Sequence, residues 1–156
     1  MKRMKRVFAG LLCLLLCCGL LAVPAAAGEA EPEESVSTTV FPDGSYCITT
    51  VSVLQLQTTG KRATITGTKS KDYYNSNDIL QFSVIVKGTF TYDGTTATAT
   101  ASQYGYHIYN ASWSFYNGFS SCSGATATAT CTFSLSGGGH RTISVSLTCS
   151  PTGTLS

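Results

Sequence analysis

Apolar and polar residues alternate with a period of two along much of this chain from Tyr46 onward. In residues 81–92, QFSVIVKGTFTY, the even positions Phe82, Val84, Val86, Phe90 and Tyr92 are apolar, and the odd positions include Ser83, Lys87, Thr89 and Thr91. That period marks a strand with one buried face. Two further stretches alternate Thr with Ala. "DGTTATATAS" at 93–102 returns as "SGATATATCT" at 123–132, with six of ten positions identical. Each reads as a strand that turns Ala inward and β-branched Thr outward. The second continues inward through Cys131, Phe133 and Leu135, and the last strand repeats the pattern with Ile143, Val145, Leu147 and Cys149.

Turn signals punctuate these runs at PDG (42–44), TTGK (58–61), NSND (75–78), DG (93–94), NG (117–118), SG (123–124) and SGGGH (136–140). Folding about Asp93-Gly94 as a two-residue hairpin sets Phe90 opposite Ala97 and Val86 opposite Ala101. Large residues then meet small ones. Between Val53 and Leu54 the apolar parity changes phase, which predicts a bulge or a strand crossing. Seven strands follow, at about 45–57, 61–68, 79–92, 95–103, 106–116, 124–135 and 141–149, with ends uncertain by ~2–4 residues. The expected fold is an all-β, antiparallel β-sandwich, immunoglobulin-like in size, spanning 41–156.

Composition changes the picture at the N-terminus. MKRMKR is followed by a 17-residue apolar run and by PAAAGE, with small residues before a cleavage point after Ala27. This order predicts a secretory signal peptide over 1–27. Lipidation at Cys17 or Cys18 is the alternative. Residues 28–40 carry four glutamates, at 29, 31, 33 and 34, and read as an acidic disordered leader. The chain from 28 onward carries six basic and eight acidic residues, net −2. The basic patch that nucleic acid requires is missing from it. Export to the extracellular space follows, with no membrane association after cleavage and no nucleic-acid partner.

Four cysteines remain beyond the signal: Cys47, Cys122, Cys131 and Cys149. An even count in an exported chain predicts two disulfides. Cys47–Cys149 with Cys122–Cys131 is favoured, and Cys47–Cys131 with Cys122–Cys149 is the other arrangement. The spacing suits neither a metal site nor any cofactor.

Catalytic residue types are sparse. His107 and His140 are the two histidines, and the folded part offers Asp43, Asp72, Asp78 and Asp93 as its acids. Asp43 and Asp93 each precede a turn glycine, where aspartate has a structural role. The dense feature is QYGYHIYNASWSFYNGF, 103–119. By alternation Trp113 and Phe115 share a core face. Tyr104, Tyr106 and Tyr116 share the other, a candidate ligand surface, because aromatic rings with a polar tip suit sugars and proteins.

KGTFTYDGTTATATAS, IYNASWSFYN, SGATATATCTFS and VSLTCSPTG resemble segments of small exported β-rich proteins of Gram-positive, Clostridia-like bacteria. The resemblance covers 87–153. It implies export and an all-β fold, and it brings no activity and no site residue. The expected function is therefore an exported, non-catalytic binding module with a glycan, cell-wall or protein ligand. A secreted hydrolase acting on glycan or cell-wall material, or a secreted effector or inhibitor, stands as the alternative.

Overall fold

A computed structural model describes residues 35–59 and 62–156. Eight strands run in chain order: β1 (Ser35–Val40), β2 (Tyr46–Thr59), β3 (Arg62–Tyr74), β4 (Leu80–Tyr92), β5 (Ala97–Ile108), β6 (Trp113–Ser123), β7 (Thr126–Leu135) and β8 (His140–Thr148). The first five form one antiparallel sheet and the last three another, each in sequence order. No helix occurs among the described residues. The expected all-β, antiparallel architecture is what the structure shows, with eight strands instead of seven. The immunoglobulin likeness extends to size and two-layer packing, while the strand order within each sheet is sequential. The additional strand is β1. It lies in the stretch expected to be disordered, because Val36, Thr38, Thr39 and Val40 favour a strand and pair with β2. The expected signal peptide, Cys17, Cys18 and the acidic stretch to Glu34 fall outside the described residues.

The sheets meet through opposed large and small side chains. Phe82, Val84, Val86 and Phe90 of β4 are fully buried, as are Ala127, Ala129, Cys131 and Phe133 of β7. Phe82 and Phe133 stack with ring centroids 4.0 Å apart. Gly88 lies at a close approach of the two sheets. A Cβ there would come within 2.7 Å of the Phe90 ring and 3.0 Å of the Ala127 methyl. Alanine in the TATAT strand is thus the residue that permits this separation. Ile143, Val145 and Leu147 complete the inward row on β8.

Four bulges interrupt the ladders, at Leu54, Gln81, Thr100 and Tyr116. Leu54 is the extra residue of β2, between pairs Val53–Gly67 and Gln55–Thr66, at the expected phase change. Thr100 is the extra residue of β5, between Phe90–Ala99 and Thr89–Ala101. The β4–β5 loop also differs from the two-residue hairpin. Asp93 Oδ1 accepts the N–H and hydroxyl groups of both Thr95 and Thr96, so the loop takes four residues and Tyr92 pairs with Ala97. Asn117-Gly118 is not a turn. It lies within β6, with Gly118 opposite Cys131, where an added Cβ would sit tightly, 3.0–3.2 Å from Tyr104, Phe115 and the Cys131 sulfur.

The disulfide expectation is corrected. All four cysteines are free thiols, with Cys47, Cys131 and Cys149 buried and Cys122 exposed. The register explains it. Cys131 faces Gly118 whereas Cys122 faces Ala127. Four residues of strand, about 13 Å, therefore separate them, beyond the roughly 4.4–6.8 Å between bridged Cα atoms. Cys47 pairs with Tyr73. Cys149 bridges Leu155, whose side chain packs at Gly67. Gly67 and Tyr73 lie six residues apart along β3, about 20 Å at strand rise. In the exchanged arrangement Cys122 on β6 and Cys149 at the end of β8 are two strand spacings apart, about 9–10 Å.

Burial raises the thiol pKa values of Cys47 and Cys149, and that of Cys131 to about 11. Peptide mapping after alkylation of the folded protein is expected to find Cys122 labelled, with Cys47, Cys131 and Cys149 labelled only after denaturation. A recovered 47–149 or 122–131 bridged peptide contradicts this packing.

Candidate functional site

The tyrosine platform expected at 104, 106 and 116 is not one surface. The chain leaves its strands at Tyr109–Ser112, so side-chain parity does not carry from β5 to β6. The Thr100 bulge also shifts β5 by one residue, turning Tyr104 and Tyr106 inward opposite Val86 and Val84. Their rings stack on Phe115, Tyr106 at 4.2 Å and 2°, and close the β5–β6 side of the sandwich half-exposed. Tyr116 is the extra residue of a bulge in β6 and projects to the opposite face, 65% exposed.

Trp113 packs edge-on to Phe82 at 5.1 Å, in agreement with a core position. Its indole N–H donates to Gln81 Oε1 at 3.1 Å, and Asn110 Nδ2 donates to the same oxygen at 2.8 Å. Buried Gln81 thus pins the 109–113 turn. It also engages the side-chain nitrogen of Asn110. Along β6, Trp113 pairs with Leu135 and Cys122 with Ala127.

The four acids of the folded part serve structure. Asp43 binds the Ser45 hydroxyl and pairs with Arg141 at 2.6 Å. Its carboxyl is held down at about 2, chiefly by Ser45 and then by Arg141. Asp72 accepts from Ser83. Asp93 caps its own loop, and the Thr95 hydroxyl leads the contacts that lower its pKa. Asp78 takes φ 60° in the β3–β4 turn. A shallow depression lined by Arg62, Thr91, Tyr92, Asp93, Thr96 and Thr98 adds no free acid, since Asp93 is engaged within its loop. No group of three or more metal-ligating side chains occurs among the described residues.

The one ordered chemical array is the outer face of the three-stranded sheet. Hydroxyls on β7 and β8 pair rung by rung: Thr126–Thr148 at 3.1 Å, Thr128–Ser146 at 3.0 Å, Thr130–Ser144 at 2.8 Å and Thr132–Thr142 at 2.9 Å. A fifth rung joins Ser134 Oγ to His140 Nδ1 at 3.0 Å. Successive rungs stand two residues apart, about 6.5–7 Å. Each pair shares one proton, which leaves one hydroxyl donor and further lone pairs for solvent or ligand. On β6, Asn117 and Phe119 extend two of these rungs, opposite Thr132 and Thr130. Phe119 is 58% exposed, and the Tyr116 ring lies 5.0 Å from that of His140. None of the positions on this face is Asp, Glu, Lys or Arg.

The outward threonines were legible in the TATAT alternation. Their partners were not, because the β7–β8 loop is shorter than the SGGGH signal suggested. Gly138 and Gly139 take φ of 95° and 100°, and Cys131 pairs with Ile143. Phe119 was missed because a turn at Asn117-Gly118 would have removed it from this face. No known protein family, curated protein or solved structure matches the chain.

The two classes of tyrosine are separable by mutation. Tyr106→Ser is expected to cost at least about 0.5–1.5 kcal/mol through the lost stack on Phe115. Tyr116→Ser is expected to stay within about 0.5 kcal/mol of the parent, as for an exposed position. Chemical denaturation measures both, and equal losses would contradict the assignment of opposite faces.

Proposed function

We propose that the protein is an exported, non-catalytic binding domain that holds an extended, uncharged glycan on the outer face of its three-stranded sheet. The observation that carries this reading is the coincidence, on one surface, of the five paired rungs with exposed Tyr116 and Phe119. A neutral sugar polymer presents hydroxyls at intervals along its edges and apolar C–H patches on its ring faces. The rungs complement the first, and the two aromatic rings suit the second. The lack of charge on this face favours a neutral ligand over an acidic or basic one. Export rests on the signal-like segment 1–27 and on the resemblance to small exported proteins of Gram-positive bacteria. An extracellular location would bring the face into contact with cell-wall or environmental glycan.

One contact bears on the hydrolase alternative. Ser134 Oγ and His140 Nδ1 form a nucleophile–base pair in reach of each other. None of the hydrogen bonds among the described residues joins an acid to the His140 ring, so the orienting third group of a triad is not supplied. The pair continues the hydroxyl ladder as its last rung.

The test is retention on insoluble neutral polysaccharides. The parent chain is expected to bind with little dependence on salt, since screening acts on charges. The double variant Tyr116→Ala, Phe119→Ala is expected to weaken binding by about tenfold or more, near 1.4 kcal/mol, with an unchanged melting temperature. Equal binding by parent and variant removes the outer face from consideration. Turnover of a glycan substrate that is lost on Ser134→Ala would favour the hydrolase.

A further inference from the structure

Three of the four sheet edges are closed by identifiable devices. The β5 edge is tied to the other sheet by Ala99 N–H donating to Gly124 O at 2.8 Å and by Ser102 Oγ donating to Thr128 O at 3.2 Å. The β6 edge returns the contact through Ser120 Oγ to Ser102 O at 2.9 Å. On β8, Lys71 Nζ caps Ser144 O at 3.1 Å, and Ser156 of the C-terminal tail pairs with Thr148 in both directions. The fourth edge, β1, has none of these. All six residues of Ser-Val-Ser-Thr-Thr-Val are exposed, with Val36 at 64% and Val40 at 69%. The strand holds no charge, proline or glycine, which are the usual guards of a free edge. No hydrogen bond among the described residues reaches its far side.

We infer that β1 is a self-association edge, pairing antiparallel with β1 of a second copy about a two-fold axis through Thr38. The backbone geometry selects this register. Phe41 donates its N–H to Ser45 across the β1–β2 turn. Antiparallel alternation then directs Ser35, Ser37 and Thr39 toward β2 and turns the N–H and C=O groups of Val36, Thr38 and Val40 outward. With Thr38 facing Thr38 of the second copy, Val36 faces Val40, and every outward backbone group finds a partner. The same register sets all four valines on one face, where Val40 pairs with Tyr46, Thr38 with Ile48 and Val36 with Thr50 of β2. Registers centred on Ser37 or Thr39 leave valines opposite threonines and outward groups unpaired. A two-fold contact of this kind is self-complementary and closes at the dimer. It joins two five-stranded sheets into one and removes the last open edge.

The test uses the chain produced from its full-length coding sequence. Sedimentation of the parent is expected to show a concentration-dependent dimer. Thr38→Pro removes an N–H that faces away from β2, which an edge strand tolerates, and is expected to weaken dimerisation at least about tenfold with melting measured on the monomer unchanged. The pair Val36→Lys, Val40→Lys supplies the same readout without a backbone change. In a Cys122→Ser background, Thr38→Cys is expected to form an intermolecular disulfide on mild oxidation, and Thr39→Cys, which faces Ser37, to form far less. A parent that sediments as a monomer overturns the inference, including one in which residues before Ser35 or a strand from another protein occupy the edge. So does a dimer that survives these substitutions, or equal cross-linking at 38 and 39.

Discussion

The close approach of β4 to β7 is the constraint on which the rest of the structure depends. At Gly88 and Ala127 neither side chain exceeds a methyl group, and there is no room for one carbon more. Because the sheets come so near there, Phe82 and Phe133 can stack on one side of that point, and Phe90 can fill the space left by Gly88. Interiors are packed to crystal-like density, so a contact this short fixes the neighbouring residue sizes. Alanines at 127 and 129 follow from it. Threonines at 128 and 130 follow from strand parity, since the residues between inward alanines must face water and still favour an extended backbone. The hydroxyl ladder is thus the exterior of the same pattern that forms the core.

The surface that this creates is unusual in lacking charge. Three cations, Lys69, Lys71 and Arg141, gather on the flank beside β8. Lys69 and Lys71 occupy inward-facing positions on β3, opposite Val86 and Val84. Lys71 reaches the Ser144 carbonyl, and burial lowers the pKa of Lys69, with Lys71 adding repulsion. Arg141 stands over the Phe41 and Tyr73 rings at 5.2 and 5.0 Å and closes on Asp43. Long cationic stems cover apolar surface while their heads stay at the rim, so this flank is both guarded and polar. The fold therefore assigns different chemistry to each side: cations beside β8, aromatic stacking at β5–β6, hydroxyls outside β7–β8 and a bare edge at β1.

The architecture was legible in the sequence where a strand's two faces differ in polarity. Phe82, Val84, Val86, Ile143, Val145 and Leu147 were placed inward by alternation alone and are buried. The Leu54 bulge was visible as a change of phase. What was not legible depends on loop length and on bulges that leave no mark in composition. Asp93 looked like half of a two-residue turn, yet its carboxylate binds two threonines and lengthens the loop. Thr100 is one threonine among many, and its insertion moves Tyr104 and Tyr106 from the solvent face to the sandwich seam. For Tyr116 the face was read correctly as exposed, but its companions there are Phe119 and His140. The cysteine count was informative about number and silent about position, since geometry decides pairing.

The most direct test of this arrangement is the through-space proton contact between the sheets in solution, by NMR. The account predicts a strong cross-peak between the Ala127 methyl and the Gly88 α-protons, together with contacts between the Phe82 and Phe133 rings. An Ala127 methyl whose only neighbours are Leu147 and Cys122, its partners within its own sheet, would contradict it.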